Sequence, residues 1–186
     1  MQFSDLFDEV PIVAAVKSEN ELSASLMCDS NVVFLLFGDI CNIPQLVKEI
    51  KDSGKLAIVH IDLIEGLAAR EVGVDFIKEH TEADGIISTR TQLIRAAHDS
   101  GLLAVQRFFI LDSKGMHSIS ETIENTRPDL IEIMPGVIPK ALKAVAAHKI
   151  PVIAGGLIET KQEVTAALSA DAIAVSTGKK ELWNEI

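Results

Sequence analysis

No tyrosine occurs in this chain, and one tryptophan and seven phenylalanines make up its whole aromatic content. Stacking platforms for single-stranded nucleic acid need aromatic faces along a groove, so recognition by base stacking is not signalled. Cysteine is nearly as scarce. Cys28 and Cys41 stand at a spacing that matches no metal motif, and they read as buried free thiols of a cytoplasmic protein. No apolar run approaches the roughly 20 residues of a membrane span. The N-terminal MQFSDLFDEV is acidic and amphipathic, unlike the basic start and apolar centre of a signal peptide. Positive charge is in the minority, 17 Lys and Arg against 27 Asp and Glu, for a formal net charge of −10. Such a surface repels nucleic acid as a whole, so a nucleic-acid role demands a local basic patch. The first apolar strand also lacks a G-x-G-x-x-G turn, which argues against an open dinucleotide-binding sheet.

What is present is a regular alternation of apolar strands and helices. The 186 residues are 48% apolar, which suffices for one sizeable core, and a single domain over 1–186 is the expectation. Strands are expected at 11–16, 32–39, 56–62, 84–90, 102–110, 130–136, 151–156 and 172–177. Helical patterns follow each, with a further short helix before the first strand, where Ser4 is a candidate N-cap. Strands apolar on both faces and separated by helices imply a parallel sheet. Eight such units point to a minimal (β/α)8 TIM barrel, with an open doubly wound sheet as the competing architecture.

The chain's last quarter, PVIAGGLIETKQEVTAALSADAIAVSTGKKELW (151–183), carries the clearest functional signal. Two consecutive strands end in small-residue turns, Gly155-Gly156 and Ser176-Thr177-Gly178, the second opening a short basic helix. Glycine lets backbone N–H groups approach an anion, and the loops after strands seven and eight form the usual phosphate site of such a barrel. Glycines also end strands and cap helices, an ordinary role that accounts for one such turn more easily than for both.

Strand alternation sorts the rest of the mouth. In strand three Ala57, Val59 and Ile61 fit the outer face, leaving Ile58, His60 and Asp62 inside. In strand six Leu130, Glu132 and Met134 face inward. In strand four Ile87 is assigned outside, with Ser88 and Arg90 inside; in strand eight Ile173 and Val175 are outside and Ser176 inside. Strand five stays open, because Gln106 and Arg107 cannot both point inward. The candidate mouth residues are Lys17, Asp39, Asp62, Glu65, Ser88, Arg90, Arg107 and Glu132. Cations there would neutralise a phosphate, and carboxylates suit ligand hydroxyls or a divalent metal. Mutual salt bridges are the ordinary role of such charges. His60 reads as a hydrogen-bonded core histidine. Lys17 as a Schiff-base lysine would need a desolvated site and a proton shuttle that the sequence does not show. The basic clusters, Lys48, Lys51 and Lys55 and then Lys140, Lys143, His148 and Lys149, read as solvated helix faces.

The segments HIDLIEGL, ADGIISTR, VQRFFILDS, EIMPGVIPK and PVIAGGLI, in that order, resemble the glycerol uptake operon antiterminator regulatory family of the GlpP type. The likeness runs from the first strand to the final helix, and EIMPGVIPK and AGGLI are its most specific pieces. It implies a (β/α)8 barrel without catalytic residues or cofactor. It also implies a bacterial, cytoplasmic transcription regulator that responds to glycerol 3-phosphate and binds leader mRNA of glycerol-utilisation genes. The two turns would then hold the phosphate, and Asp62, Glu65 or Glu132 would receive the glycerol hydroxyls. A homodimer would concentrate the basic helix faces of two subunits. The alternative is an active barrel enzyme, a metal-dependent glycerophosphodiesterase or an isomerase, motivated by Asp62, Glu65 and Glu132 at strand ends. It lacks an inward histidine pair for acid–base work.

Overall fold

In the computed structural model, which describes residues 7 and 9–184, eight parallel strands close on themselves in sequence order. They are β1 (Ile12–Val16), β2 (Val32–Leu35), β3 (Leu56–His60), β4 (Gly85–Ser88), β5 (Leu103–Phe109), β6 (Leu130–Met134), β7 (Val152–Gly155) and β8 (Ala174–Thr177). Among the described residues seven α-helices alternate with them: α1 (Glu19–Ser25), α2 (Ile43–Asp52), α3 (Glu71–His80), α4 (Thr91–Asp99), α5 (Ser113–Thr126), α6 (Pro139–Ala146) and α7 (Lys161–Leu168). This is the expected (β/α)8 barrel, with every expected strand present and shorter at its ends. Local chemistry starts the helices. Ser18 caps α1, Pro139 sits in the first turn of α6, and Thr160 and Glu163 form a capping box on α7.

Two expectations at the chain's ends need adjustment. The N-terminal helix with its Ser4 cap lies outside the described residues, although Phe7 packs into the barrel lumen. The short basic helix expected after β8 is a 3₁₀ turn, Lys180–Leu182. Trp183 follows it, buried, with its indole Nε1 donating to the Thr177 carbonyl at 2.8 Å. That bond folds the segment back against the end of β8.

The barrel buries two apolar cores. One lies between strands and helices and takes Ile12, Val33, Val59, Ile86, Ala104, Ile131, Val152 and Val175 from the outer strand faces. The other fills the lumen with one layer drawn from every strand: Val13, Phe34, Ile58, Ile87, Val105, Leu130, Ile153 and Ala174. This layering corrects two outward assignments, and with the first of them the inward parity of Ser88, which pairs in register with Gln106. Ile87 faces the lumen while Ile86 faces the helices, and Ile173 packs with the lumen cluster. It also resolves strand five. Gln106 turns outward, where its Oε1 accepts from Thr126 of α5 at 2.6 Å, and Arg107 turns inward to Glu132.

The readings of one thiol and of one basic cluster are also corrected. Cys28 is buried, but Cys41 is exposed. Lys55 is buried, and its Nζ donates to the carbonyls of Cys28 and Ser30, both at 2.6 Å. Lys48 pairs with Asp52, and Lys51 with Asp84. Lys51 and Lys55 are therefore tied to the fold, while Lys48 keeps its expected solvated place on α2.

Candidate functional site

Two residues beyond the apolar lumen layer, strand alternation brings a second layer to the C-terminal end of the barrel. It consists of Ala15, Leu36, His60, Arg107, Glu132, Gly155 and Ser176, one from the end of nearly every strand. Above its β5–β8 and β1 side opens a cavity of about 690 Å³. Its walls are Ala15, Lys17, Glu21, Leu36, Leu63, Arg107, Glu132, Met134, Ser176, Thr177, Gly178, Lys179 and the loop 156–159.

The floor is a buried polar triad. The Arg107 Nε–H donates to Glu132 Oε2, and the Ser176 hydroxyl donates to Glu132 Oε1. Glu132 is only 1% exposed, so the ion pair is what permits its charge there. Gly155 belongs to this arrangement without lining the cavity, because its missing side chain leaves room for the Glu132–Ser176 contact.

The side formed by the loops after β7 and β8 is rich in donors. Among the described residues, the backbone N–H groups of Gly156, Leu157, Ile158 and Gly178 have no hydrogen-bond partner. Gly156 (φ +73°) and Leu157 (φ +60°) are both left-handed, an arrangement natural to glycine and strained for leucine. Lys17 stands exposed at the rim, and Lys179 Nζ lies 3.6 Å from the Glu159 carboxylate. Unpartnered amides and a lysine ammonium are the donor types that an anion takes.

The two hydroxyls expected to help grip a phosphate are used otherwise. The Ser176 proton is given to Glu132. The Thr177 hydroxyl donates to the Ile158 carbonyl at 2.9 Å and accepts from the Lys179 N–H at 3.1 Å, tying the two loops together. What these turns offer an anion is backbone, from Gly156 to Ile158 and at Gly178.

Of the remaining candidate residues, Lys17, Arg107 and Glu132 line the cavity, while Asp39, Asp62, Glu65, Ser88 and Arg90 do not. The latter close the opposite side of the mouth. Asp39 and Glu65 form a backbone bridge between the loops after β2 and β3, and Asp39 Oδ1 accepts from the N–H groups of Cys41 and Asn42. Asp62 Oδ2 accepts from the Ser88 hydroxyl at 2.7 Å and the Thr89 N–H at 3.2 Å, and Arg90 Nε lies 3.1 Å from Oδ1. His60 sits buried between the two polar groups, its Nδ1 3.7 Å from Asp62 Oδ2 and without a hydrogen-bond partner. Burial, with the Arg107 charge added, pushes its pKa down from 6.5 to about 4, so the ring is neutral at pH 7. Among the described residues no group of three or more His, Cys, Asp and Glu side chains is placed to hold a metal ion.

Sequence reasoning missed Leu157, Ile158 and Glu159. The usable signal was their place between Gly-Gly and the capping box, where the chain must turn over the mouth.

Comparison with known proteins adds four likenesses. A family model described as "Glycerol-3-phosphate responsive antiterminator" matches residues 12–183. The uncharacterized protein YgcP of Escherichia coli K12 is 39% identical over 184 residues, covering 98% of this chain and 96% of the relative. The crystal structure of a glycerol uptake operon antiterminator regulatory protein from Listeria monocytogenes superposes with a TM-score of 0.91 at 35% identity, covering 95% of this chain and 96% of that one. A glycerol uptake operon antiterminator-related protein from Thermotoga maritima superposes with a TM-score of 0.84 at 36% identity, covering 92% and 96%.

Proposed function

We propose that this chain, which belongs to the glycerol-3-phosphate responsive antiterminator family, senses glycerol 3-phosphate in the β5–β8 cavity and binds leader mRNA of glycerol-utilisation genes in response. The observation that carries the ligand half is the set of unpartnered amides at Gly156, Leu157, Ile158 and Gly178 beside Lys17, on the barrel side where phosphate esters bind. Family membership carries the RNA half. Occupancy rather than turnover is the role of the site. Both Glu132 oxygens and the Ser176 proton are engaged in holding the floor, and His60 does not line the cavity. A metal-dependent phosphodiesterase finds no support in this geometry, because Asp62, Glu65 and Glu132 do not converge. The protein acts where its messenger is made, in the cytoplasm. Among the described residues no helix is long and apolar enough to cross a membrane.

Thermal denaturation with glycerol 3-phosphate, glycerol and inorganic phosphate tests the ligand. At 100 times its Kd a ligand stabilises by about 2.7 kcal/mol, and glycerol 3-phosphate is expected to give the largest shift of the three. No selective shift would remove the assignment. Filter binding of a leader RNA with and without the ligand tests the second half; affinity indifferent to glycerol 3-phosphate would sink it.

A further inference from the structure

The cavity floor, held together by Glu132, carries a donor residue and an acceptor residue. Arg107 is nine-tenths buried, and Glu132 holds its Nε. Its two terminal nitrogens have no partner among the described residues, although the side chain lines the cavity. Ser176 lines the same wall, and its one proton goes to Glu132 Oε1, because a carboxylate oxygen can only accept. Toward the cavity Ser176 therefore presents lone pairs. The floor offers donors from Arg107 beside an acceptor from Ser176.

A hydroxyl both accepts and donates, and it satisfies the two together. A carboxylate or a second phosphate can take the Arg107 donors but has no proton for Ser176. It would also meet a cation whose charge the Glu132 carboxylate already balances at contact distance. A methyl group leaves the two terminal nitrogens of Arg107 without a partner, which is costly. The free amides of Gly156, Leu157, Ile158 and Gly178 line the same cavity from the loops that follow β7 and β8, and Ala15, Leu36 and Met134 add apolar wall.

We propose that Arg107 and Ser176, both oriented by Glu132, are specificity-determining residues that select a short monophosphate ester whose far end is a neutral hydroxyl. They reject phosphorylated acids, bisphosphates and simple alkyl phosphates. Glu132 does not touch the ligand in this arrangement; it positions the two groups that do. The proposal rests on the cavity's being a phosphate-ester sensor and adds the rule by which the sensor chooses.

Isothermal titration of the whole protein with sn-glycerol 3-phosphate, n-propyl phosphate and 3-phosphoglycerate tests it. The wild type is expected to bind glycerol 3-phosphate at least about tenfold more tightly than either of the others, the loss of one or two hydrogen bonds to a buried charged site. In Ser176→Ala, which keeps the Arg107–Glu132 pair, that preference is expected to shrink to about threefold while n-propyl phosphate binding stays the same. In Arg107→Lys, which keeps a cation against Glu132 but loses the fork, the preference is expected to shrink as well. Should glycerol 3-phosphate bind while 3-phosphoglycerate or n-propyl phosphate binds equally well, the selection rule is overturned and the sensor reading stands. The same holds if the preference survives both substitutions. Should none of the three esters bind, the sensor reading fails and takes the rule with it.

Discussion

Gly155 and Glu132 compete for one small volume: a Cβ built on Gly155 would lie 2.5 Å from Glu132 Oε1 and 2.7 Å from Ser176 Oγ. The strand β7 position that faces the lumen at this level must therefore be glycine for the Glu132–Ser176 hydrogen bond to exist. Its φ is not in the left-handed region, so the requirement is one of space and not of backbone conformation.

Gly155→Ala is accordingly expected to destabilise the fold by about 3 kcal/mol, combining an overpacked site with a hydrogen bond lost from a buried carboxylate. Urea denaturation measures it. A loss below about 0.5 kcal/mol would mean that the triad can relax around a methyl group, and the floor would not be the rigid element described.

Gly178 makes the opposite case. A Cβ there would meet only the Ala15 carbonyl oxygen, at an ordinary 3.5 Å. Gly178→Ala is expected to change stability by less than about 0.5 kcal/mol. It would nevertheless set a methyl group beside a free amide of the anion surface. Glycerol 3-phosphate affinity is expected to fall about fivefold, roughly 1 kcal/mol. Titration with the ligand beside a denaturation curve separates the two effects, and unchanged affinity would take Gly178 out of the anion surface.

These two glycines show what was legible in the sequence. The barrel was, because eight apolar runs alternate with amphipathic stretches and each half-buried period announces itself. Inward parity was legible on β3 and β6, where His60 and Glu132 interrupt apolar neighbours. It failed on β4, since Ile86 and Ile87 are both apolar and a period of two cannot order them. On β5 the choice between Gln106 and Arg107 rested on partners far along the chain, Thr126 and Glu132. Which side of the mouth holds the cavity was not legible at all. Loop pairing decides it: the Asp39–Glu65 bridge and the contacts of Asp62 with Ser88 and Thr89 close one side, while the loops after β7 and β8 leave the other open. Nor does a sequence reveal that Ser176 and Thr177 spend their hydroxyls inside the fold.

His60 makes the fold sensitive to acid. Its folded-state pKa of about 4 lies below the ordinary 6.5, so the folded chain refuses a proton that the unfolded chain accepts. Stability is full above pH 6.5, falls as pH drops through the window from 6.5 to about 4, and loses no more from this group below that. The ceiling on the loss is about 3 kcal/mol. Chemical denaturation of the wild type and His60→Gln at pH 7 and pH 4.5 isolates it, since the carboxylates that titrate in the same range are common to both. The wild type is expected to lose more stability than the variant on acidification. Parallel losses would show that the ring is protonated in the folded barrel without penalty.

Lys140 and Lys143 on α6, with Lys149 just beyond its end, are a cluster of basic residues available for RNA. Several lysines elsewhere are engaged: Lys48 with Asp52, Lys51 with Asp84, Lys55 beneath two carbonyls, Lys179 with Glu159 and Lys180 with Asn20. Lys140, Lys143 and Lys149 are exposed and have no ion-pair partner among the described residues. On a chain of net charge −10 they form a local exception to the repulsion that a phosphate backbone would meet. If leader RNA lies along this helix, each phosphate contact contributes about 0.7 to the slope of log affinity against log salt for a single strand. Replacing all three lysines by glutamine is expected to flatten that slope by about 2 and to weaken binding at low salt. Glycerol 3-phosphate affinity is expected to stay at its wild-type value, because none of the three lines the cavity. Filter binding over a salt series reads the slope, and an unchanged slope would move the RNA to another face of the barrel.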